Sequence, residues 1–300
     1  MELTYIIKAQ DTYKNVKDVL IKHFKISHRL LTKLKRQNCI YKNDIQCFVY
    51  DNVVIHDKIS ISFNYSEEND IVPVNIPIDV IFEDESLLVV NKPYNMPVHP
   101  SHLHYTDSLS NGISYYFNSI KLYKKIRPVN RIDKDTSGIV VFAKNEYIQE
   151  FLISQMKEHI FQKEYIAICS GILEGSGIID APIARKAESI IEREININGE
   201  KAITHYSVLA TSAKYNLSIV QCKLETGRTH QIRLHMKHIG HPLLGDSLYG
   251  IPSSLINRQA LHSYKIEFIH PISFKQITCI APLPHDIESC VNYIPNFHIS

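Results

Sequence analysis

From about residue 77 to residue 290 the chain breaks into short apolar runs that mostly follow one another, with few helical stretches between them. No other feature constrains the fold as much. Strands joined directly to strands pair antiparallel, whereas a parallel sheet needs a long crossover between each pair. Residues 80–82 and 87–90, around the turn Glu83-Asp84-Glu85, read as a hairpin. Further strands fit 202–209, 217–224, 261–268 and 275–281, and Asn198-Gly199 is a hairpin-turn signal. Residues 139–143 are continuously apolar, as in a buried strand. Helices fit 146–159, with Ile148, Phe151, Leu152 and Met156 on one face, and 229–239. A third starts near Thr106 as cap, with Leu109, Ile113 and Phe117 inward. The expected class is α+β with a mixed, mostly antiparallel sheet.

The first 66 residues read differently. Val16, Val19, Leu20 and Phe24 fall at helical spacing, and Ser27 caps a second helix with Leu30, Leu31 and Leu34 on its apolar face. A strand, the turn Lys42-Asn43-Asp44 and further strands follow, with Ile59, Ile61 and Phe63 alternating. Net charge is +2 overall, yet residues 14–43 hold nine basic residues against Asp18 alone, so the rest of the chain is acid-leaning. The expected organisation is a small α+β unit at 1–66, a linker at 67–76 and a larger domain at 77–300.

Composition excludes several classes. Hydrophobic residues are 44% and charged residues 21%, the balance of a globular chain. No apolar run approaches a membrane span, and the start lacks a signal peptide's apolar region. The six cysteines are scattered without a Cys-x-x-Cys, as in reduced cytosolic proteins. The expected location is the cytoplasm, and a monomer is the default.

Two segments concentrate chemistry. In Arg127-Pro-Val-Asn-Arg131-Ile-Asp133-Lys-Asp135-Thr136-Ser137-Gly138, charged groups sit at the mouth of the buried strand. A rigid strand can present a reactive carboxylate there, or Asp133 can simply close a turn on its own backbone. In Thr226-Gly227-Arg228-Thr229-His230-Gln231-Ile232-Arg233, Thr229 is a candidate helix cap, and Arg228 beside it can grip a carboxylate by two parallel bonds. Three glycines, 240, 245 and 250, then suggest tight turns. His230, His235, His238 and His241 lack the spacing of a metal site, and no metal is expected. Thr136-Ser137-Gly138 is not a hydrolase elbow. A two-carboxylate glycosidase could use Asp133 and Asp135, but alternate residues of an extended chain face opposite ways.

The run from Arg131 to Lys144, with Asp133, Thr136, Ser137 and Gly138, resembles the signature of the RluA/RluD-type RNA pseudouridine synthases. Four further stretches agree in order. They are Asn91-Lys92-Pro93 with Val98-His99-Pro100; Lys163-Glu-Tyr165; Gly227 through Gly250; and His270-Pro271 with 281–284. The resemblance covers about 78–286. The first 66 residues resemble, more weakly, the small RNA-binding domain named after ribosomal protein S-four. Departures fall at Asn130, Asn95 and His159. Asn95 replaces a usual glycine, and Asn tolerates a left-handed backbone.

The resemblance implies the pseudouridine synthase fold and isomerisation of uridine in RNA without a cofactor. It implies Asp133 as the essential carboxylate, acting as nucleophile or as base. Tyr165 would lie on the ring, and Arg228 is the expected partner of Asp133. Ile232 would line the pocket, and Arg131 would fill the gap left by a flipped nucleotide. Lys33, Arg29 and Arg36 on the basic helix would meet phosphates. Ribosomal RNA of the large subunit is the first expectation for the partner, and transfer RNA the second. An RNA-binding or assembly factor on the same fold whose chemistry is secondary and a hydrolase acting on a glycosidic bond are the competing readings. The trio Asp133, Tyr165 and Arg228 counts against the first, and the lack of a convincing second carboxylate against the other.

Overall fold

The computed structural model describes residues 1–292. A ten-stranded sheet dominates it. Its main path runs, in spatial order, Ser176–Asp180, Ile203–Ser212, Leu217–Leu224, Gln162–Ser170, Leu261–Ile269, Ser137–Ala143, Leu87–Lys92 and Asp79–Glu83. Gln276–Ile280 adds to Leu261–Ile269, and Arg127–Pro128 adds to Ser137–Ala143. Every described pairing in this sheet is antiparallel except one. Ser137 and Gly138 lie parallel to His262 and Ser263 at the centre.

Residues 139–143 are fully buried because the sheet is covered on both sides. Ile139, Val141 and Ala143 join one hydrophobic cluster, and Val140 and Phe142 join another. Leu87 and Val89 divide from Leu88 and Val90 in the same way. A period of two with apolar residues on both faces is what a doubly covered strand requires. The helix Glu146–Lys157, capped by Asn145, contributes Ile148 and Leu152 to the first cluster. The helix Leu109–Ser119 contributes Leu109, Ile113 and Phe117 to the second. It begins after Ser108 rather than Thr106, because the Asn111 side chain reaches back to the Ser108 N–H at 3.0 Å.

The N-terminal residues form a separate four-stranded sheet in the order Glu2–Ile6, Lys58–Ser62, Ile40–Lys42, Ile45–Gln46. Ser27 caps the helix His28–Arg36, accepting from the Leu30 N–H at 3.1 Å. Asn43 and Asp44 take the left-handed conformation of a tight hairpin turn. The opening strand Glu2–Ile6 was not foreseen. It shows weak alternation, and its partner lies some fifty residues on.

Residues 67–76 are not a free tether. The Glu67 and Val74 N–H groups bond Tyr123 and Asn111 carbonyls, and Asn111 Nδ2 donates to the Val72 carbonyl at 2.8 Å. The Glu67 side chain is buried and takes both arms of Arg127, at 2.7 and 2.8 Å. Lys33 joins them, bonded to Glu67 and Glu146. This corrects two expectations. Lys33 is not a free cation for phosphate, and Arg127 serves packing rather than chemistry. Phe63 packs on Tyr147 at 5.8 Å, so the small sheet shares a hydrophobic cluster with the large one. Asn198-Gly199 does turn the chain, but it joins Arg193–Ile195 to the isolated bridge between Ile183 and Glu200 instead of two long strands.

Candidate active site

The parallel pair at the sheet's centre fixes the position of the Asp133 loop. Gly138 has φ of +110°, and a Cβ there would lie 2.2 Å from the Ser263 carbonyl oxygen. Only glycine permits so close a backbone approach. Lys92 holds the loop from behind. Its fully buried ammonium donates to the carbonyls of Pro93, Met96 and Lys134, at 2.7, 2.7 and 3.0 Å. Burial lowers its pKa to about 7, against the pull of Asp135 and Asp133. Asn130 bonds the next strand, donating to the Ile139 carbonyl and accepting from the Val141 N–H.

Asp133 does close a turn, but through its backbone. Its carbonyl accepts from the Thr136 N–H at 3.1 Å. The carboxylate is therefore left for other partners, and its side chain is 25% exposed. Arg233 Nη1 approaches Oδ2 at 3.3 Å. Arg233 is itself gripped from the far side by Asp246, with Nε and Nη2 at 2.7 and 2.8 Å from the two carboxylate oxygens. Burial opposes charge on Asp246, yet the bonds from Arg233 prevail and hold its pKa below the ordinary carboxylate value.

The expected pairing of Arg228 with Asp133 is thus overturned. Arg228 lies at the rim, bonded to Glu200 and to the Lys201 carbonyl. Its distance from the Asp133 carboxylate has a structural cause. Thr229 does not cap the helix. The cap residue is His230, in the left-handed conformation, and the Gln231 side chain accepts from the Arg228 N–H at 3.0 Å. The helix proper, Gln231–His238, buries Ile232 and Arg233 toward the sheet. Arg233 lies five residues after Arg228 in the same segment, and no local signal separates the two.

Tyr165 is buried on the strand Gln162–Ser170, opposite Ser263. Burial pushes its phenol well above the ordinary value, a hydrogen bond with Ser263 opposes this, and the Asp133 charge adds to the rise. Asp133, Tyr165, Ile232, Arg233 and Leu261 line one small pocket of about 70 Å³. It adjoins a cleft of about 1320 Å³, and Arg131, Asp133, Lys163 and Arg228 border both. His159, His205 and Lys223 extend the cleft's basic lining. Arg131 is exposed there, as are Arg29 and Arg36 on the N-terminal helix.

Among the described residues no group of three His, Cys, Asp or Glu side chains is placed to share a metal ion. His235 is bonded at both ring nitrogens, to Thr204 and to the Ala181 carbonyl. Among the described residues no helix is long and apolar enough to cross a membrane.

Residues 86–238 match the family described as RNA pseudouridylate synthase. "Uncharacterized RNA pseudouridine synthase YhcT" of Bacillus subtilis (strain 168) is 40% identical over 249 residues, covering 82% of each chain. "Ribosomal large subunit pseudouridine synthase D" of Zymomonas mobilis is 42% identical over 233 residues, covering 72% of each. The solved "Human RNA Pseudouridylate Synthase Domain Containing 1" is similar with a TM-score of 0.58 and 26% identity. That likeness covers 71% of this chain and 87% of the human one.

Proposed function

This chain belongs to the RNA pseudouridylate synthase family, and from that premise we propose that it isomerises uridines of ribosomal RNA with Asp133 as the acting carboxylate. Relatives named for the large ribosomal subunit, 34–42% identical over most of the chain, support that choice of RNA. The observation that carries the role of Asp133 is its setting. It is a partly exposed carboxylate at the junction of a ring-sized pocket and a basic cleft, held by an arginine that is itself held.

In the reaction, the bond from uracil N1 to ribose C1′ breaks and one from C5 to C1′ forms. The proton on C5 is lost and N1 gains one, so no net oxidation occurs. Asp133 must be ionised, whether it attacks the nucleotide as nucleophile or takes a proton from the sugar as base. Arg233 supports that state, and the Asp246 fork keeps the guanidinium in place. Tyr165 packs on the uracil face and stands near the C5 proton. Ile232 closes the apolar side. Arg131 takes the place of the flipped nucleotide, offsetting the few kcal/mol that unstacking costs. Arg29 and Arg36 capture the RNA backbone away from the site.

Tritium release from RNA labelled at uridine C5 tests this reading. Wild type should release tritium. Asp133→Asn should release none while binding the RNA about as well, and release equal to wild type would sink the assignment. Pseudouridine maps of total RNA from cells with and without the gene separate ribosomal from transfer RNA targets.

A further inference from the structure

Two nitrogen donors face Asp133, and only Arg233 has so far been given a role. The other is His230, at the left-handed turn (φ 58°, ψ 22°) that starts the helix Gln231–His238. Its Nε2 stands 4.0 Å from Asp133 Oδ2, the oxygen that Arg233 also approaches. Its Nδ1 lies 2.8 Å from the Tyr249 hydroxyl. That hydroxyl accepts from the Arg193 backbone N–H, also at 2.8 Å.

This chain of contacts favours one place for the ring's proton. A phenol oxygen accepting from an amide still has its own hydrogen to donate, and Nδ1 is within reach. Nδ1 is then the acceptor, so the ring hydrogen is on Nε2, the nitrogen facing Asp133. The environment favours the neutral ring. Burial disfavours the imidazolium, as do Arg233 and Arg193, while Asp133 and Asp246 pull the other way. The balance lies below the ordinary histidine pKa.

The turn between Gly245 and Gly250 serves both donors. Asp246 takes the Arg233 fork and also accepts from the Leu248 and Tyr249 N–H groups, at 3.0 Å each. That fixes Tyr249, whose ring lies 5.0 Å from the Arg233 guanidinium carbon and 5.4 Å from the His230 ring. Lys237 also lies near the Tyr249 ring, at 5.8 Å.

We propose that His230 is a positioning residue, a neutral donor locked by Tyr249 whose Nε2–H closes onto Asp133 Oδ2 when RNA binds, leaving Oδ1 free to react. This rests on the reading of Asp133 as the acting carboxylate. A separation of 4.0 Å is closed by a small movement of the ring or the loop, and catalytic hydrogen bonds commonly tighten only in the complex. Protonating His230 makes Nδ1 a donor, so the Tyr249 hydroxyl can no longer donate to it and must turn its hydrogen away, undoing the contact that sets the ring. Activity should therefore fall as pH drops through the His230 titration, below the ordinary histidine range.

The test is the pH dependence of kcat and KM for tritium release, on the full chain with a structured ribosomal RNA fragment. His230→Gln should lower kcat on the order of tenfold, with KM little changed, less than the loss of a donor that meets the reacting oxygen itself. Its acid limb should move to lower pH. Tyr249→Phe should shift the same limb with a smaller loss of kcat. Wild-type kcat and an unmoved acid limb in His230→Gln would overturn the proposal, as would a loss confined to KM. Should His230→Gln not fold, an unmoved limb in Tyr249→Phe overturns it equally. Asp133→Asn is run beside them. Activity there defeats the reading of Asp133, whereas an inactive Asp133→Asn with a wild-type His230→Gln defeats this proposal alone.

Discussion

Two arginine–carboxylate clusters in this molecule use the same chemistry to opposite ends. Around Arg127, the carboxylates of Glu67 and Glu146 and the ammonium of Lys33 saturate one another between the small sheet and the large one. Around Arg233, Asp246 is saturated but Asp133 is not. Among the described residues no hydrogen bond reaches its Oδ1, and a pocket lies beside it. A fully satisfied cluster fixes geometry. A cluster with one open carboxylate oxygen keeps a charge available to a substrate. The difference lies in the last partner, not in the residue types.

The largest effect should come from loosening the open cluster. Arg233→Lys keeps the charge but loses the fork that matches Asp246. Single-turnover tritium release should fall roughly a hundredfold, as for loss of a preorganised charge partner, with the fold retained. Breaking the closed cluster should act on stability instead. Arg127→Ala leaves Glu67 buried without its main partner and should cost about 3–5 kcal/mol in urea unfolding, while the folded fraction keeps its activity.

The closed cluster also predicts an acid dependence. Burial opposes ionisation of Glu67, but the hydrogen bonds from Arg127 and Lys33 prevail and hold its pKa well below the usual carboxylate range. A carboxylate lowered on folding contributes stability above its unfolded pKa and loses it as pH falls through the folded value. Glu67→Gln should therefore flatten the acid limb of stability against pH, and an unchanged limb would contradict this account.

Smaller effects should mark groups outside both clusters. Replacing Arg29 and Arg36 together by Ala should reduce the salt slope of RNA binding by about 2, one for each phosphate contact, with kcat unaffected. Arg228→Ala should do least. Its partner Glu200 is largely exposed, and exposed pairs contribute little. A loss of tritium release as deep as that of Arg233→Lys would restore the role first expected of Arg228.

Much of this was legible in the sequence, for local reasons. The doubly buried strand announced itself by five apolar residues in a row. Ser27 and Asn43-Asp44 announced a cap and a turn by their chemistry. Asp133, Tyr165 and Ile232 came together from a resemblance carried by motifs in order. The choice between Arg228 and Arg233 was not legible. Both are arginines in one short segment, and both stand about a hundred residues from Asp133. Only the left-handed turn at His230, and the docking of the helix after it, sends one to the rim and the other inward. The role of Lys33 failed for a similar reason. Its partners, Glu67 and Glu146, are 34 and 113 residues away, and a basic helix face read alone looks solvated throughout.

The sequence by itself determined many of the strands, the main helices, their buried faces and the family, because these follow from spacing and side-chain type along a few residues. The tertiary structure decided which charge meets which. An ion pair is a matter of a few ångströms between chain segments, and that distance is set by packing the whole sheet and its helices, not by any local pattern.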